Sequence, residues 1–258
     1  MIDSHCHLNY IDKIGTTKEL VNEAHQIGVH TILNIGTDIE SSKQSIEYAE
    51  QFDSIFATVG VHPHDAKNVD QNQLDQLKEM SSHKKVVAIG EIGLDYYRDH
   101  SPRDIQKKVF EQQLQLAVET KLPIVIHTRE AFDDTLEIVK DYAFDIPSGV
   151  FHCFPGDINQ AEQVFELGFV ISVGGVITYK NASMADVAQL APLDKIILET
   201  DAPYLTPHPF RGKTNRPAYV KYTYEHLALL KELPFDQVEK TIDRTVQKLF
   251  NLVETFGD

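Results

Sequence analysis

Short apolar runs rich in β-branched residues recur along the chain: Ile2 to His5, His30 to Gly36, Ile55 to Val61, Val86 to Glu91, Ile124 to His127, Gly149 to His152, Phe169 to Val173 and Ile196 to Thr200. Each is apolar on both faces with no clean polar alternation, the pattern of strands buried on two sides in a parallel sheet. Every gap between successive runs has room for a crossover helix. Eight strands alternating with helices over about 250 residues is the proportion of an α/β fold of the (β/α)8 TIM-barrel type. An open doubly wound sheet is the alternative arrangement of the same elements.

The gaps carry helix signals. Ser101 before Pro102 reads as an N-cap followed by a first helical residue, and Phe110, Leu114 and Val118 then repeat along one face. Gly28 and Gly168 directly follow helical patterns, where a left-handed residue closes the last turn. Val238, Ile242, Val246, Leu249 and Phe250 form a stripe near the C-terminus. One connection breaks the alternation. The stretch from Tyr204 to Pro217 contains Pro207, Pro209 and Pro217 with His208, Arg211, Lys213 and Arg216, so it is expected to be an ordered loop or a mobile lid. Without internal repeats, low-complexity tracts or linkers, the expected organisation is one barrel domain over residues 1–258.

Composition narrows the function. At 42% apolar residues the chain can build a large core, which excludes disorder and a disulfide-stapled mini-fold. No run approaches the ~18 apolar residues of a membrane span, and the N-terminus carries neither a basic nor an apolar leader. The expectation is a cytoplasmic protein without membrane contact, in which Cys6 and Cys153 are reduced, buried, inert thiols. A net charge of −15 argues against broad, salt-driven binding to a polyanion, because that binding rests on Lys and Arg replacing counterions. A local phosphate site built from metal ions and a few arginines is still compatible with it.

Candidate chemistry gathers at the C-terminal ends of the expected strands: His5-Cys6-His7, Glu91, His127, His152 and Asp201. In a barrel these ends share one rim. His5 and His7 are two apart, so both imidazoles point to one face of an extended chain and can chelate one cation, while Cys6 points away. Taken alone, His-x-His is also the pattern of two ordinary polar residues at a strand end. Glu91 stands among glycines and apolar residues, where a lone buried charge is costly, so it calls for a cation.

The set Asp3-Ser-His-Cys-His-Leu, Gly60-Val-His-Pro-His, Gly90-Glu-Ile-Gly-Leu-Asp-Tyr, Ile126-His-Thr-Arg, His152-Cys-Phe, Glu199-Thr-Asp-Ala-Pro-Tyr and the Arg211-Gly-Lys-Thr-Asn loop resembles the TatD family of metal-dependent hydrolases, known as deoxyribonucleases. The resemblance runs essentially end to end. It implies a centre of two divalent cations, with His5, His7 and Asp201 holding the first, His127 and His152 the second, and Glu91 bridging them. Two cations ~3.5–4 Å apart can bind a phosphate and ionise a shared water. Asp201 is the expected proton acceptor, with Glu91 also catalytic, and Glu199 faces the same way as Asp201, either as support to a ligand or as a buried carboxylate with its own partner. Imidazoles favour Zn, Mn, Ni or Co, and the carboxylates also admit Mg.

His62, Arg129, Arg211 and Asn215 are candidate contacts to substrate phosphate, His64 is expected to be loop structure, and Tyr96, Phe154, Tyr204 and Phe210 are aromatic residues able to stack on a base. The leading expectation is a 3′-5′ exonuclease acting on ends of single-stranded DNA or RNA. A metal-dependent deacylase of D-aminoacyl-tRNA, or another ester or amide hydrolase, is the alternative, and a metal-binding scaffold without turnover is the third. No obligate protein partner is implied.

Overall fold

The computed structural model describes residues 1–11 and 14–252, so residues 12, 13 and 253–258 of the expected domain lie outside the described residues. Eight strands form one sheet in chain order: β1 (Ile2–Cys6), β2 (Thr31–Asn34), β3 (Ile55–Val59), β4 (Val86–Asp95), β5 (Ile124–Arg129), β6 (Gly149–Phe151), β7 (Val170–Val173) and β8 (Ile196–Leu198). All seven neighbouring pairs are parallel. The fold is a TIM barrel. The expected strand positions hold to within a few residues, because a run apolar on both faces is buried only if something covers each side.

The seam between β8 and β1 is closed by particular groups, since a single parallel bridge, Cys6 to Ala202, joins the two edges there. Ser4 Oγ donates to Leu198 O at 2.9 Å, and the Asp201 N–H donates to His5 O at 2.9 Å. Asp3 Oδ1 accepts the Thr200 N–H at 2.8 Å and its Oδ2 accepts the Thr200 hydroxyl at 2.6 Å. Burial pushes the Asp3 carboxyl up to about 8, with the Thr200 and His5 donors pulling the other way. These bonds set the chain just beyond β8 against the residues of β1 that carry His5.

Four of the helices between strands begin where side chains satisfy their first N–H groups. Capping boxes start α1 (Thr17–Gln26), α2 (Ile39–Gln51), α3 (Gln71–Ser81) and α6 (Ile158–Glu166), with Thr16, Asp38, Asp70 and Asp157 as caps. The others are α4 (Arg103–Thr120), α5 (Phe132–Lys140), α7 (Ser183–Leu190), α8 (Val220–Lys231) and α9 (Phe235–Leu249). Gly28 and Gly168 close α1 and α6 at φ of 90° and 81°. The C-terminal stripe is buried, with Val238, Ile242, Val246 and Leu249 on α9 and Phe250 just past its end. No helix among the described residues is long and apolar enough to cross a membrane.

Three expectations need correction. Ser101 does not cap α4: its hydroxyl donates to His64 O and accepts the Lys67 N–H, leaving Pro102 at the cap position. Tertiary partners outcompeted the local bond. Strand β4 continues four residues past Glu91 to Asp95, because Ile92, Gly93, Leu94 and Asp95 pair with Ile126, His127, Thr128 and Arg129 of β5. Cys153 is only partly buried, whereas Cys6 is fully so. The proline-rich stretch is a hydrogen-bonded loop, fastened by Thr206 Oγ1 to Lys213 O at 2.6 Å and ending in a short 3-10 turn over Pro217–Tyr219.

Candidate metal centre

The barrel's C-terminal mouth gathers His5, His7, His62, Glu91, His127, His152 and Asp201. Two of the strands concerned are locally irregular. Between Asp3 and Cys6, β1 holds one residue more than β2, and between Ile89 and Ile92, β4 holds one more than β5. Such bulges re-aim side chains, and they fall at His5 and at Glu91.

Glu91 is 3% exposed, and its two oxygens face different groups of imidazoles. Oε2 lies 3.5 Å from His5 Nε2 and 3.7 Å from His7 Nε2. Oε1 lies 2.8 Å from His127 Nδ1, 2.9 Å from His152 Nε2 and 3.5 Å from His62 Nε2. Asp201, held at a φ of 52°, brings Oδ1 to 3.5 Å from His7 Nε2 and 3.8 Å from His5 Nε2. Donor sets with metal-binding spacing are His5, His7 and Glu91; His5, His152 and Asp201; and His62, Glu91 and His127.

These residues fit divalent cations. His5 Nε2 and His7 Nε2 face each other at 3.1 Å with carboxylate oxygens on either side. A shared cation uses both lone pairs, whereas a mutual hydrogen bond uses one. Burial opposes charge on every group here, yet the neighbours decide most outcomes. Glu91 is held well below the usual carboxylate range by His152, His62 and His127, and Asp201 is lowered chiefly by His7. His152 is raised well above its ordinary value by Glu91 and Glu199, His7 by Asp201 and Glu91, and His127 by Asp95 and Glu91. Burial wins at His5 and His62, which are lowered with help from His152 and His127 respectively. Carboxylates that draw protons onto imidazoles draw a cation in their place.

A further donor set, His30, Glu239 and Asp243, lies at the opposite end of the barrel. It surrounds the α-amino group of Met1, which is 2.7 Å from Glu239 and 3.2 Å from Asp243. That cation already provides the countercharge.

Supporting residues complete the site. Glu199 is buried, accepts the Ser172 hydroxyl at 2.5 Å and the Cys153 N–H at 2.9 Å, so it has partners of its own, and its Oε1 lies 3.5 Å from His152 Nδ1. Asp95 was not singled out by sequence reasoning. Its Oδ2 is 3.2 Å from His127 Nε2 and 2.9 Å from His64 Nε2, and its Oδ1 accepts the N–H groups of Tyr97 and Arg98. His64 is thus tied into the site's edge, and the signal available in the sequence was the Asp at the end of Gly90-Glu-Ile-Gly-Leu-Asp.

Asp95 orients His127 so that Nδ1 faces Glu91. Asp95→Asn is expected to weaken metal affinity about 10- to 100-fold, measured by competition with a chromogenic chelator. Burial opposes its charge, but His127, His64 and the Arg98 N–H hold its carboxyl below the ordinary value of 3.8. Its stabilising contribution is therefore present above that value and is lost as pH falls toward the lowered native one. The melting-temperature gap between wild type and Asp95→Asn should narrow with acidification; a constant gap below pH 4 contradicts this sign.

The phosphate candidates separate. Arg129 is exposed at the end of β5 with its guanidinium 4.0 Å from the centre of the Tyr97 ring, and Arg211 is exposed with its guanidinium 4.4 Å from that of Tyr179. His62 is 9% exposed and touches the Glu91 group directly. Asn215 is corrected: it is fully buried, its amide donates to Thr200 O and Tyr204 O, and its Oδ1 accepts the Arg216 N–H. It fastens the late loop and has no donor left for substrate. Arg216 pairs with Glu23 at 3.0 Å.

A parallel barrel whose mouth concentrates imidazoles around a buried Glu91 and a partly buried Asp201 is the architecture of a metal-dependent hydrolase. The family model for TatD related DNase matches residues 2–251. The chain is 41% identical over 253 residues to the uncharacterized metal-dependent hydrolase YabD of Bacillus subtilis, covering 98% of this chain and 99% of that one. It superimposes on the TatD homologue YjjV of Escherichia coli with a TM-score of 0.92 at 33% identity, covering 98% of each chain. A TatD family hydrolase of Entamoeba histolytica shares the fold, with a TM-score of 0.86 at 22% identity and 97% of each chain covered. The chain belongs to the TatD-related DNase family and is a metal-dependent hydrolase.

Proposed function

We propose that the protein is a phosphodiesterase that removes nucleotides from the 3′ ends of single-stranded DNA or RNA. The observation that carries this reading is the division of Glu91, one oxygen toward His5 and His7 and the other toward His127 and His152. In this reading His5, His7 and Asp201 hold one divalent cation, His127 and His152 hold another, and Glu91 lies between them. When bound, the cations supply the positive charge that favours ionisation of water and offsets that of the phosphate.

The protein's own groups supply the rest. The Asp201 side chain is 13% exposed against 4% for Glu91, so Asp201 Oδ is the carboxylate atom that water can reach and that accepts its proton. In this reading His62 Nε2, 3.5 Å from Glu91 Oε1, donates to a phosphate oxygen. Arg129 brings a guanidinium to the rim, where paired N–H donors suit phosphate. The acidic surface favours local recognition of a strand end over tracking along a duplex.

The test is release of nucleotides from a 3′-labelled single-stranded oligonucleotide, with and without chelator, beside a 5′-labelled control. Expected are loss of hydrolysis on chelation and its return on adding Zn, Mn, Ni, Co or Mg. Arg129→Ala should slow cleavage about 10-fold or more through loss of a charge-assisted contact. Equal rates with and without chelator would remove the metal mechanism, and hydrolysis of aminoacyl-tRNA alone would replace the phosphodiester substrate with an ester.

A further inference from the structure

Two tyrosines stand over the mouth with about half of their surface unpacked: Tyr10 is 43% exposed and Tyr204 is 54% exposed. Each follows a residue of the metal centre by three positions, Tyr10 after His7 and Tyr204 after Asp201. Both approach the same imidazole. The His7 ring centre is 5.6 Å from that of Tyr10 and 6.5 Å from that of Tyr204.

The Tyr10 ring and the Tyr204 backbone are held from behind. The Tyr10 hydroxyl pairs with Thr37 Oγ1 at 2.8 Å, and its N–H donates to His7 O. The Tyr204 N–H donates to Asp201 O at 2.8 Å, while its carbonyl accepts the buried Asn215 amide. Ordering the Tyr10 ring costs a ligand little, because its hydroxyl anchor has already fixed it, and the backbone that carries Tyr204 is fixed as well.

Other aromatic residues near the rim are engaged. Phe154 is buried, Phe210 stacks on Tyr219 with centres 4.4 Å apart, and the Tyr96 hydroxyl is bound to Asp134. Exposed Tyr97 carries the Arg129 guanidinium over its ring. Tyr10 and Tyr204 instead present aromatic area directly outside the centre that receives the phosphate. One sugar separates a base from its phosphate, so the base of a nucleotide bound there meets these rings first.

Charge sharpens the argument. With 24 cationic against 39 acidic residues, the chain gains little from replacing counterions along a nucleic-acid backbone. Stacking is a source of affinity that net charge does not weaken, and it tolerates any base because every base has a π face. We propose that Tyr10 and Tyr204 form a base-stacking slot for the terminal nucleotide of the substrate. This rests on the phosphodiesterase reading above.

The test compares binding of dAMP with binding of 2-deoxyribose 5-phosphate, the same phosphate and sugar without a base, by calorimetry in the presence of manganese. Wild type should prefer dAMP by about 5- to 100-fold, the range of one stacked base. In Tyr10→Leu/Tyr204→Leu the ratio should collapse toward one, while Tyr10→Phe/Tyr204→Phe, which keeps both rings, should retain most of it. If the leucine pair fails to fold, Tyr204→Leu alone should lower the ratio. A wild-type ratio near one, or a leucine variant with the wild-type ratio, overturns the slot. The same preparations are assayed on oligonucleotides with an ordinary or an abasic 3′ residue. Equal cleavage of the two with a ratio near one overturns the slot and leaves the nuclease standing; absence of cleavage with a persistent base preference overturns the nuclease and supports the slot.

Discussion

Glu91→Gln is expected to lower hydrolysis by at least about a thousandfold, equivalent to roughly 4 kcal/mol of lost transition-state stabilisation. The substitution keeps the shape and removes the charge. An amide offers one oxygen and one NH2 group, so it can face only one of the two imidazole groups as an acceptor, and the other would meet a donor. The carboxylate now has five imidazoles within 3.7 Å, with Oε1 toward His62, His127 and His152 and Oε2 toward His5 and His7. The variant should also retain less metal after dialysis, measured by elemental analysis. Full metal content with wild-type turnover would show that Glu91 is a structural carboxylate and would remove the central role given to it.

The second large effect concerns a residue with no side chain. Gly93 lies two residues beyond Glu91 on β4, at a φ of 141°, and a Cβ placed there would come within 2.0 Å of His127 O. Its neighbour is strand backbone, paired in register with it, so no rotamer change relieves the clash. Gly93→Ala is expected to cost about 2–6 kcal/mol from overpacking plus strain at positive φ. That corresponds to a melting temperature lower by about 5–20 °C for a chain of this size. Because β5 must move to make room, His127 moves away from Glu91, and activity should fall further than the loss of folded protein explains. Gly168→Ala is the control. Gly168 also has positive φ, at 81°, but a Cβ there meets nothing within 4 Å, so only the strain remains. If the two variants melt within about 2 °C of each other, the clash is not what requires glycine at position 93.

Six residues of the centre could be found from the sequence because each belongs to a short apolar run or follows it closely. His5 lies on β1 and His7 follows it, Glu91 and His127 lie on β4 and β5, and His152 and Asp201 follow β6 and β8. A polar group at the end of a buried strand is conspicuous, and a barrel sends all such ends to one rim. The supporting residues were less visible. Asp95 reads as the start of a turn until the pairing of β4 with β5 carries the strand to it, and Tyr10 looks like an ordinary loop aromatic until the 3-10 turn after His7 lifts it over the mouth. Asn215 was misassigned because a polar residue in a loop full of cations resembles a ligand contact, whereas its hydrogen bonds run inward.

The sequence by itself determined the alternation of strands and helices and which imidazoles and carboxylates stand at strand ends, because apolar periodicity and strand direction are local properties, and its motifs carried the resemblance to the family. The tertiary structure decided how the barrel closes between β8 and β1, which oxygen of Glu91 faces which histidines, and which rim side chains turn inward or outward. Those outcomes depend on bulges, on bonds such as Asp3 to Thr200 between residues far apart in the chain, and on competition for buried donors, none of which has a local signature.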